Sequence, residues 1–250
     1  MLYVKNLRKS YQSGNKSYSV LKGIDLSVAS QEFVAVMGPS GSGKSTLLNC
    51  ISCYIPFEEG EISLGGQNLK GLGEDALARI RNEKLGFVFQ DFMLLDGLTV
   101  RENVLVPRII KDRVEPEADQ LADALLSLFG IAHITDKYPA EISGGERQRT
   151  AVARSLINKP LIILADEPTG NLDSKSSRTV IEAFENARQQ LGATIFMVTH
   201  DSYAASFCDR VILLKDGVVY NTLQKQEDRK ESQGAFQDRL LIEIKEMSSV

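Results

Sequence analysis

Residues 38–46 read GPSGSGKST, directly after the apolar run Phe33–Met37 and ahead of a helix-forming stretch, Thr46–Ile51. Gly38, Gly43, Lys44 and Ser45 fit the pattern G-x-x-x-x-G-K-[ST]. A buried strand, a glycine-rich turn and a helix N-terminus, in that order, make a cradle for an anion. Glycines let the backbone bend so that successive N–H groups point inward at phosphate oxygens. The helix that follows turns the positive end of its dipole toward the same place. Lys44 would neutralise β- and γ-phosphate charge, and the Ser45 hydroxyl would ligate Mg²⁺. Pro39, Ser40, Gly41, Ser42 and Thr46 complete the loop. The stretch speaks for a nucleoside triphosphate and leaves the reaction open.

A second apolar run, Leu161–Ala165, ends in Asp166-Glu167. Bulky apolar residues before an acidic pair fit the other half of such a site. Asp166, at the carboxyl end of a central strand, would hold Mg²⁺ through water. Glu167, one residue on, can point the other way and activate the attacking water, help worth about 10²–10⁴ in rate.

Around these two anchors the pattern alternates. Leu2–Leu7 and Val20–Val28 read as strands joined through the polar stretch Ser13–Ser17, and Glu61–Leu64 with Gly65-Gly66 as strand and turn. Glu74–Arg81 reads as a charged helix, and Leu85–Phe89 as a strand ending at Gln90. Residues 91–158 are mainly helical, with a wide apolar stripe over Ala118–Phe129. Strand patterns return at Thr194–Thr199 and Val211–Leu214, separated from Leu161–Ala165 by a helix over Lys175–Leu191. Asp216-Gly217 is a hairpin signal. The expectation is an α/β chain: a mostly parallel P-loop (RecA-like) core, an antiparallel β subdomain, and an inserted α-helical subdomain. The expected boundaries are 1–90 with 159–222 for the nucleotide-binding core, 91–158 for the helical part and 223–250 for a C-terminal extension. In that extension Phe236, Leu240, Leu241, Ile244 and Met247 fall on one helical face, for docking or for a partner.

Composition narrows the classes. The chain has 250 residues, 43% of them hydrophobic and 25% charged, which fits a globular protein with its own core. Its net charge of −4 supplies no basic field, so nucleic acid is not expected as a partner. No apolar run approaches the 18 or more residues of a membrane span, and the start MLYVKNLRKSY lacks the apolar core of a signal peptide. The chain is expected in the cytosol, and at a membrane only through a partner. Cys50 and Cys53 form C-x-x-C, but no second pair or histidine cluster completes a zinc site. Packed thiols are the expectation, with a redox or metal role as the alternative.

Residues 142–148, Ile142-Ser143-Gly144-Gly145-Glu146-Arg147-Gln148, read ISGGERQ. This resembles the LSGGQ signature of ATP-binding-cassette (ABC) ATPases, with Ile142 for the usual Leu and Glu146 for the usual Gln. The resemblance covers roughly residues 1–222 and implies a good deal. The signature turn, with Ser143, Gly144, Gly145 and Glu146, would meet the γ-phosphate of ATP bound by a second subunit, so that two chains sandwich two ATP molecules. Tyr11 stands where the family places an aromatic that stacks on adenine. Gln90 resembles the glutamine that contacts Mg²⁺ and the attacking water. Asn171-Leu172-Asp173 resembles the loop that passes between subunits, and Asp173 is placed at the nucleotide. His200 resembles the histidine that hydrogen-bonds the γ-phosphate. His133 has no motif around it and reads as a surface residue. Catalysis is thereby assigned to Glu167, His200, Gln90 and Lys44, and Mg²⁺ to Ser45, Gln90 and Asp166, with ATP hydrolysed.

The local text is similar to one branch of the family. Phe89-Gln90-Asp91-Phe92, Leu98-Thr99-Val100 and Glu102-Asn103-Val104 follow the lipoprotein-release and macrolide-export type. Lys137-Tyr138-Pro139, Asp173-Ser174-Lys175 and Val198-Thr199-His200-Asp201 resemble the bacitracin-type antimicrobial-peptide resistance ATPases. That implies an integral-membrane permease partner near Gln90–Leu95, a sensor histidine kinase reached through it, and a place on the cytoplasmic face of the cell membrane. A macrolide or lipoprotein type, a soluble ABC ATPase without transport, and a scaffold of the cell-division kind remain as other readings.

Overall fold

The computed structural model describes residues 1–14, 16–110, 116–226 and 231–249. In chain order the elements are β1 (Leu2–Ser13), β2 (Lys16–Val28), β3 (Phe33–Met37), α1 (Lys44–Ile51), β4 (Glu59–Leu64), β5 (Gln67–Asn68), α2 (Glu74–Lys84) and β6 (Leu85–Val88). There follow α3 (Val100–Ile109), α4 (Pro116–Leu128), α5 (Gly144–Leu156), β7 (Ile162–Asp166), α6 (Ser174–Leu191), β8 (Ile195–Val198), α7 (Ser202–Ala205), β9 (Arg210–Lys215), β10 (Val218–Gln224) and α8 (Gln233–Ser249). The chain divides into two compact units, Met1–Ala78 with Phe196–Val250, and Arg79–Ile195.

In the first unit β1 and β2 form a long antiparallel hairpin, paired from Leu2↔Val28 to Ser13↔Lys16 with register shifts on both sides of Leu7 and between Lys9 and Ser10. β4 pairs antiparallel on the other side of β1, and short β5 completes the order β2-β1-β4-β5. Alternation sends Leu2 and Val4 inward, and a register shift after Val4 buries Leu7 in place of Asn6. A second sheet is built on β3, whose five residues are all buried. β9 pairs with it in parallel, β10 returns antiparallel beside β9, and β8 flanks β3 on the other side. A strand covered on both faces needs a continuous apolar run, and Phe33–Met37 supplies one.

In the second unit β6 and β7 pair in parallel from Leu85↔Ile162 to Val88↔Ala165. α3 starts at a capping box in which Thr99 and Glu102 satisfy each other's backbone N–H. The buried Asn103 side chain accepts from Leu95 N and donates to the carbonyls of Leu95, Leu98 and Thr99, which fixes the turn ahead of α3. Arg101 reaches from α3 to Asp119 and Asp123 on α4. α6 buries Val180, Ile181, Phe184 and Ala187 on one face and ends at Gly192 in the left-handed region.

This is the P-loop nucleoside triphosphatase architecture that the glycine loop predicts. The hairpin strands extend beyond their apolar segments because Tyr11, Gln12 and Ser13 keep a backbone ladder with Tyr18, Ser17 and Lys16 while standing in water. Asp216 and Gly217, both at positive φ, make the expected β9–β10 turn. α8 docks on its own unit. Phe236, Leu240 and Met247 are buried, whereas Leu241 is exposed and leaves the expected face. Part of the charged stretch Lys225–Glu231 lies outside the described residues.

Cys50, Cys53 and Cys208 are buried and form no disulfide among the described residues, in line with packed thiols. Burial pushes the Cys50 thiol up to about 12, so it stays protonated through the range where thiols normally react. Alkylation of the native chain with a maleimide at pH 8 should therefore leave Cys50 unmodified, and urea should release it. Rapid native labelling at Cys50, read by peptide mass, would contradict the packing.

Candidate nucleotide site

β3 delivers the chain into the phosphate loop. Gly38 sits against β9, where an added Cβ would lie 2.0 Å from Leu214 O, so only glycine fits. Gly43, at φ 102°, is the N-cap of α1 and offers no side chain to cap it. α1 also has no acidic residue in its first turn. α3, α5 and α6, by contrast, are capped by Thr99, Ser143 and Asp173. No side chain caps this helix start, and an anion is what the helix dipole favours there. Lys44 Nζ donates to Gly38 O at 2.8 Å and Pro39 O at 3.0 Å, which folds the ammonium back over the loop. Ser45 is exposed, and Ser42 Oγ is buried with no hydrogen-bond partner among the described residues.

His200 follows β8 and is exposed. Its neighbours are fixed: Thr199 N donates to Val36 O at 3.1 Å, and Asp201 N donates to Thr199 Oγ1 at 3.0 Å. Tyr11 stands near the tip of the β1–β2 hairpin with 43% of its surface exposed. The Lys9 ammonium lies 5.3 Å from its ring centroid and pairs with Glu58 at 2.8 Å. An open ring on a paired strand suits stacking on a base.

In the second unit the buried residues of β7 end at the half-buried Asp166. Glu167 has φ 46°, a left-handed backbone in a residue other than glycine, which costs about 1–3 kcal/mol and persists only where the surroundings enforce it. Gly170 N closes the turn onto Glu167 O at 2.9 Å. Gln90 lies over this turn. Its Nε2 donates to Asn171 Oδ1 at 3.1 Å, and Asn171 Nδ2 donates to Asp91 Oδ1 at 2.8 Å. A Cβ on Gly170 would come within 2.9 Å of Gln90 Nε2.

The signature turn opens α5. Ser143 Oγ and N both donate to Glu146 Oε2, at 2.7 and 2.8 Å. These bonds, the hydroxyl's first, hold the Glu146 carboxyl below its usual pKa. His133 is exposed but not isolated: its Nε2 lies 3.4 Å from Glu146 Oε1. Gly144 and Gly145 let the start of α6 approach, since added Cβ atoms would stand 3.1 Å from Leu172 and from Ser176. Asp173 is the N-cap of α6 and accepts from Ser176 Oγ and from the N–H groups of Lys175 and Ser176, which lowers its pKa.

Two residues of α5 escaped the functional reading of the sequence. The buried Gln148 donates to Phe89 O at 3.1 Å and Pro168 O at 2.7 Å, tying the strand end before Gln90 to the turn after Glu167. Arg154 donates to Phe92 O and Met93 O, the carbonyls of two consecutive left-handed residues. Burial lowers the Arg154 pKa to about 10, which leaves it charged at neutral pH. The only sequence signal for Gln148 is a polar residue on the inward face of an amphipathic helix.

The groups assigned to a divalent cation, the Ser45 hydroxyl, the Asp166 carboxylate and the Gln90 amide, all offer oxygen, the donor type Mg²⁺ prefers. Among the described residues no cluster of three or more histidine, cysteine or acidic side chains forms another metal site, and no helix is long and apolar enough to cross a membrane.

The class is that of a P-loop nucleotide hydrolase, and the comparisons make it definite. The ABC transporter family model matches residues 21–170. The bacitracin export ATP-binding protein of Halalkalibacterium halodurans is 46% identical over 232 residues, which are 93% of this chain and 92% of that protein. A macrolide export ATP-binding/permease protein of Chlorobaculum tepidum is 43% identical over 231 residues, 92% of this chain but 35% of that longer protein. Among solved structures, a dimeric ATP-binding cassette of Methanocaldococcus jannaschii in a post-hydrolysis state with ADP and Pi is similar at TM-score 0.81 and 40% identity, over 90% of this chain and 98% of that one. The chain belongs to the ABC transporter family. It is an ATP-binding, ATP-hydrolysing subunit of that kind.

Replacing Gln148 with Leu keeps the volume but leaves the carbonyls of Phe89 and Pro168 without their donor. Urea unfolding should show a loss of about 1–3 kcal/mol. Stability equal to the parent chain would mean that water or another group serves those carbonyls.

Proposed function

We propose that this chain is the ATPase subunit of a transporter that confers resistance to antimicrobial peptides of the bacitracin type. Two chains would close on two ATP molecules and drive an integral-membrane permease, at the cytoplasmic face of the cell membrane. A sensor histidine kinase reached through the permease belongs to the same reading. The geometric support is the N-terminus of α1, which has no side-chain cap, whereas α3, α5 and α6 each begin at a capping side chain. The support for the substrate class is the likeness to the bacitracin export protein.

Each residue then has a task. Tyr11 stacks on the adenine, a contact worth roughly 1–3 kcal/mol. The N–H groups of residues 38–46 and the Lys44 ammonium bind the phosphates. Ser45, Gln90 and Asp166 would hold Mg²⁺, which would supply neutralisation of the β- and γ-phosphate charge. Glu167 takes the proton of the attacking water as its oxygen bonds to the γ-phosphorus and the bond to the β-phosphate oxygen breaks. His200 hydrogen-bonds the γ-phosphate. Ser143, Gly144, Gly145, Glu146 and Asp173 serve the nucleotide of the second chain. The nucleotide-binding core over 1–90 and 159–222, the helical subdomain over 91–158 and the extension over 223–250 follow from this division of labour. The likeness to macrolide export proteins supports a second reading, a macrolide-type permease.

Glu167→Gln should bind ATP, lose turnover by at least about 100-fold and accumulate as a dimer on a sizing column. Undiminished turnover would remove Glu167 from the role of base. Affinity capture of the tagged chain from detergent-solubilised membranes of its own organism should bring down a permease with a large extracellular domain. A four-helix permease without that domain would move the assignment to the macrolide type. Recovery of no membrane protein would end the transport reading.

A further inference from the structure

The C-terminal helix α8 is the largest feature for which the nucleotide chemistry has no use. Within its own unit it buries Phe236 and Leu240 completely. Lys215 Nζ donates to Met247 O at 2.7 Å, and Asn221 Nδ2 donates to Glu243 Oε2 at 2.8 Å, so its far end is pinned along β9 and β10. Its near end reaches the short element α7, which begins two residues after His200.

The contacts form a chain. Gln233 Nε2 donates to Ser206 Oγ at 3.0 Å, and Gln237 Nε2 donates to Ser202 Oγ at 3.3 Å. Ser206 Oγ donates onward to Tyr203 O at 2.6 Å, and Lys225 Nζ donates to Ser206 O at 3.3 Å. At the other end of α7 the Asp201 carboxylate accepts from Tyr203 N at 2.8 Å. Asp201 N donates to Thr199 Oγ1, and Thr199 N donates to Val36 O on β3. His200 therefore stands between one residue pinned to β3 and another that caps α7. A helix of four residues has no stability of its own, because nucleation costs more than one turn returns. Its place is set by what packs on it: Ala204, Ala205 and Ser206 are fully buried, and α8 supplies side-chain donors to both ends.

We propose that α8 is a positioning element for His200. Gln233 and Gln237 hold α7, and α7 fixes the backbone from which the imidazole is presented. The inference rests on the role given to His200 above. Neither glutamine has a part in nucleotide binding, so their loss slows the chemical step and leaves ATP affinity intact.

The test uses the full chain with Mg-ATP and compares the double variant Gln233→Ala/Gln237→Ala with His200→Ala. In the double variant turnover should fall about three- to tenfold, the rate equivalent of one or two lost hydrogen bonds, with KM for ATP unchanged. Amide hydrogen exchange over residues 199–206 should quicken, with the strands of the core as slow as in the parent chain. Unchanged turnover in the double variant, with His200→Ala inactive, would overturn the inference and leave the role of His200 standing. A raised KM at unchanged turnover would also overturn it, by making α8 a binding element. Full turnover in His200→Ala would remove the role of His200 and the inference with it.

Discussion

A Cβ at residue 38 would meet the carbonyl oxygen of Leu214 at 2.0 Å, and one at residue 217 would meet Val20 O at 2.2 Å. Backbone segments therefore approach as closely as glycine allows at two places, the end of β3 against β9 and the β9–β10 turn against β2. Gly217 N donates to Ser42 O at 3.2 Å, and Lys22 N donates to Gly217 O at 2.9 Å, which locks the turn against the phosphate loop on one side and β2 on the other. The loop spends one N–H on itself, Ser42 N donating to Pro39 O at 3.2 Å, and draws further rigidity from behind. Here it comes from backbone packed on backbone, which flexes far less than side chains do.

The same economy separates the two anion sites that the sequence suggests. At α1 the cap is glycine and no carboxylate stands in the first turn. At α5 the Ser143 cap is already engaged, and the Glu146 carboxylate takes both the N–H and the hydroxyl of Ser143. One helix start is open to an anion and the other carries one of its own. The N–H groups of a Ser-Gly-Gly turn look alike in sequence whether or not a carboxylate three residues on has claimed the serine. His133, 13 residues before Glu146 in the chain, joins this pair through tertiary folding alone, and nothing local to its sequence marks it.

What could be read in advance follows from range. β3 and β7 show as apolar runs because burial on both faces demands it, and Asp216-Gly217 shows because a tight turn needs positive φ. The phosphate loop, the acidic pair and the signature turn are local strings whose chemistry depends on spacing, and they lie between a strand and a helix, at a strand end and at a helix start. The outer hairpin residues Tyr11–Ser13 are held by ladder bonds rather than by burial, so polarity hid them. Leu241 follows helical spacing, but α8 docks along a narrow line through Phe236, Leu240 and Met247, and a residue one step round the helix is left in water.

Gln148 and Arg154 were hidden for another reason: their partners lie between 20 and 62 residues away and are backbone carbonyls, which any sequence can supply. They are nevertheless what makes α5 more than a packed helix. Gln148 reaches the strand end before Gln90 and the turn after Glu167, and Arg154 reaches the two left-handed residues that follow Asp91. Bonds from a charged donor are worth about 1.5–3 kcal/mol, more than neutral ones. The helix that begins at Ser143 thus carries the fixing points for the Gln90 turn. Its Gly144-Gly145 start is packed on Leu172 and Ser176, so contacts at the signature end and contacts at the Gln90 end bear on one rigid body. Gln148 and Arg154 thus tie the segment on both sides of Gln90 to the helix that the signature turn opens.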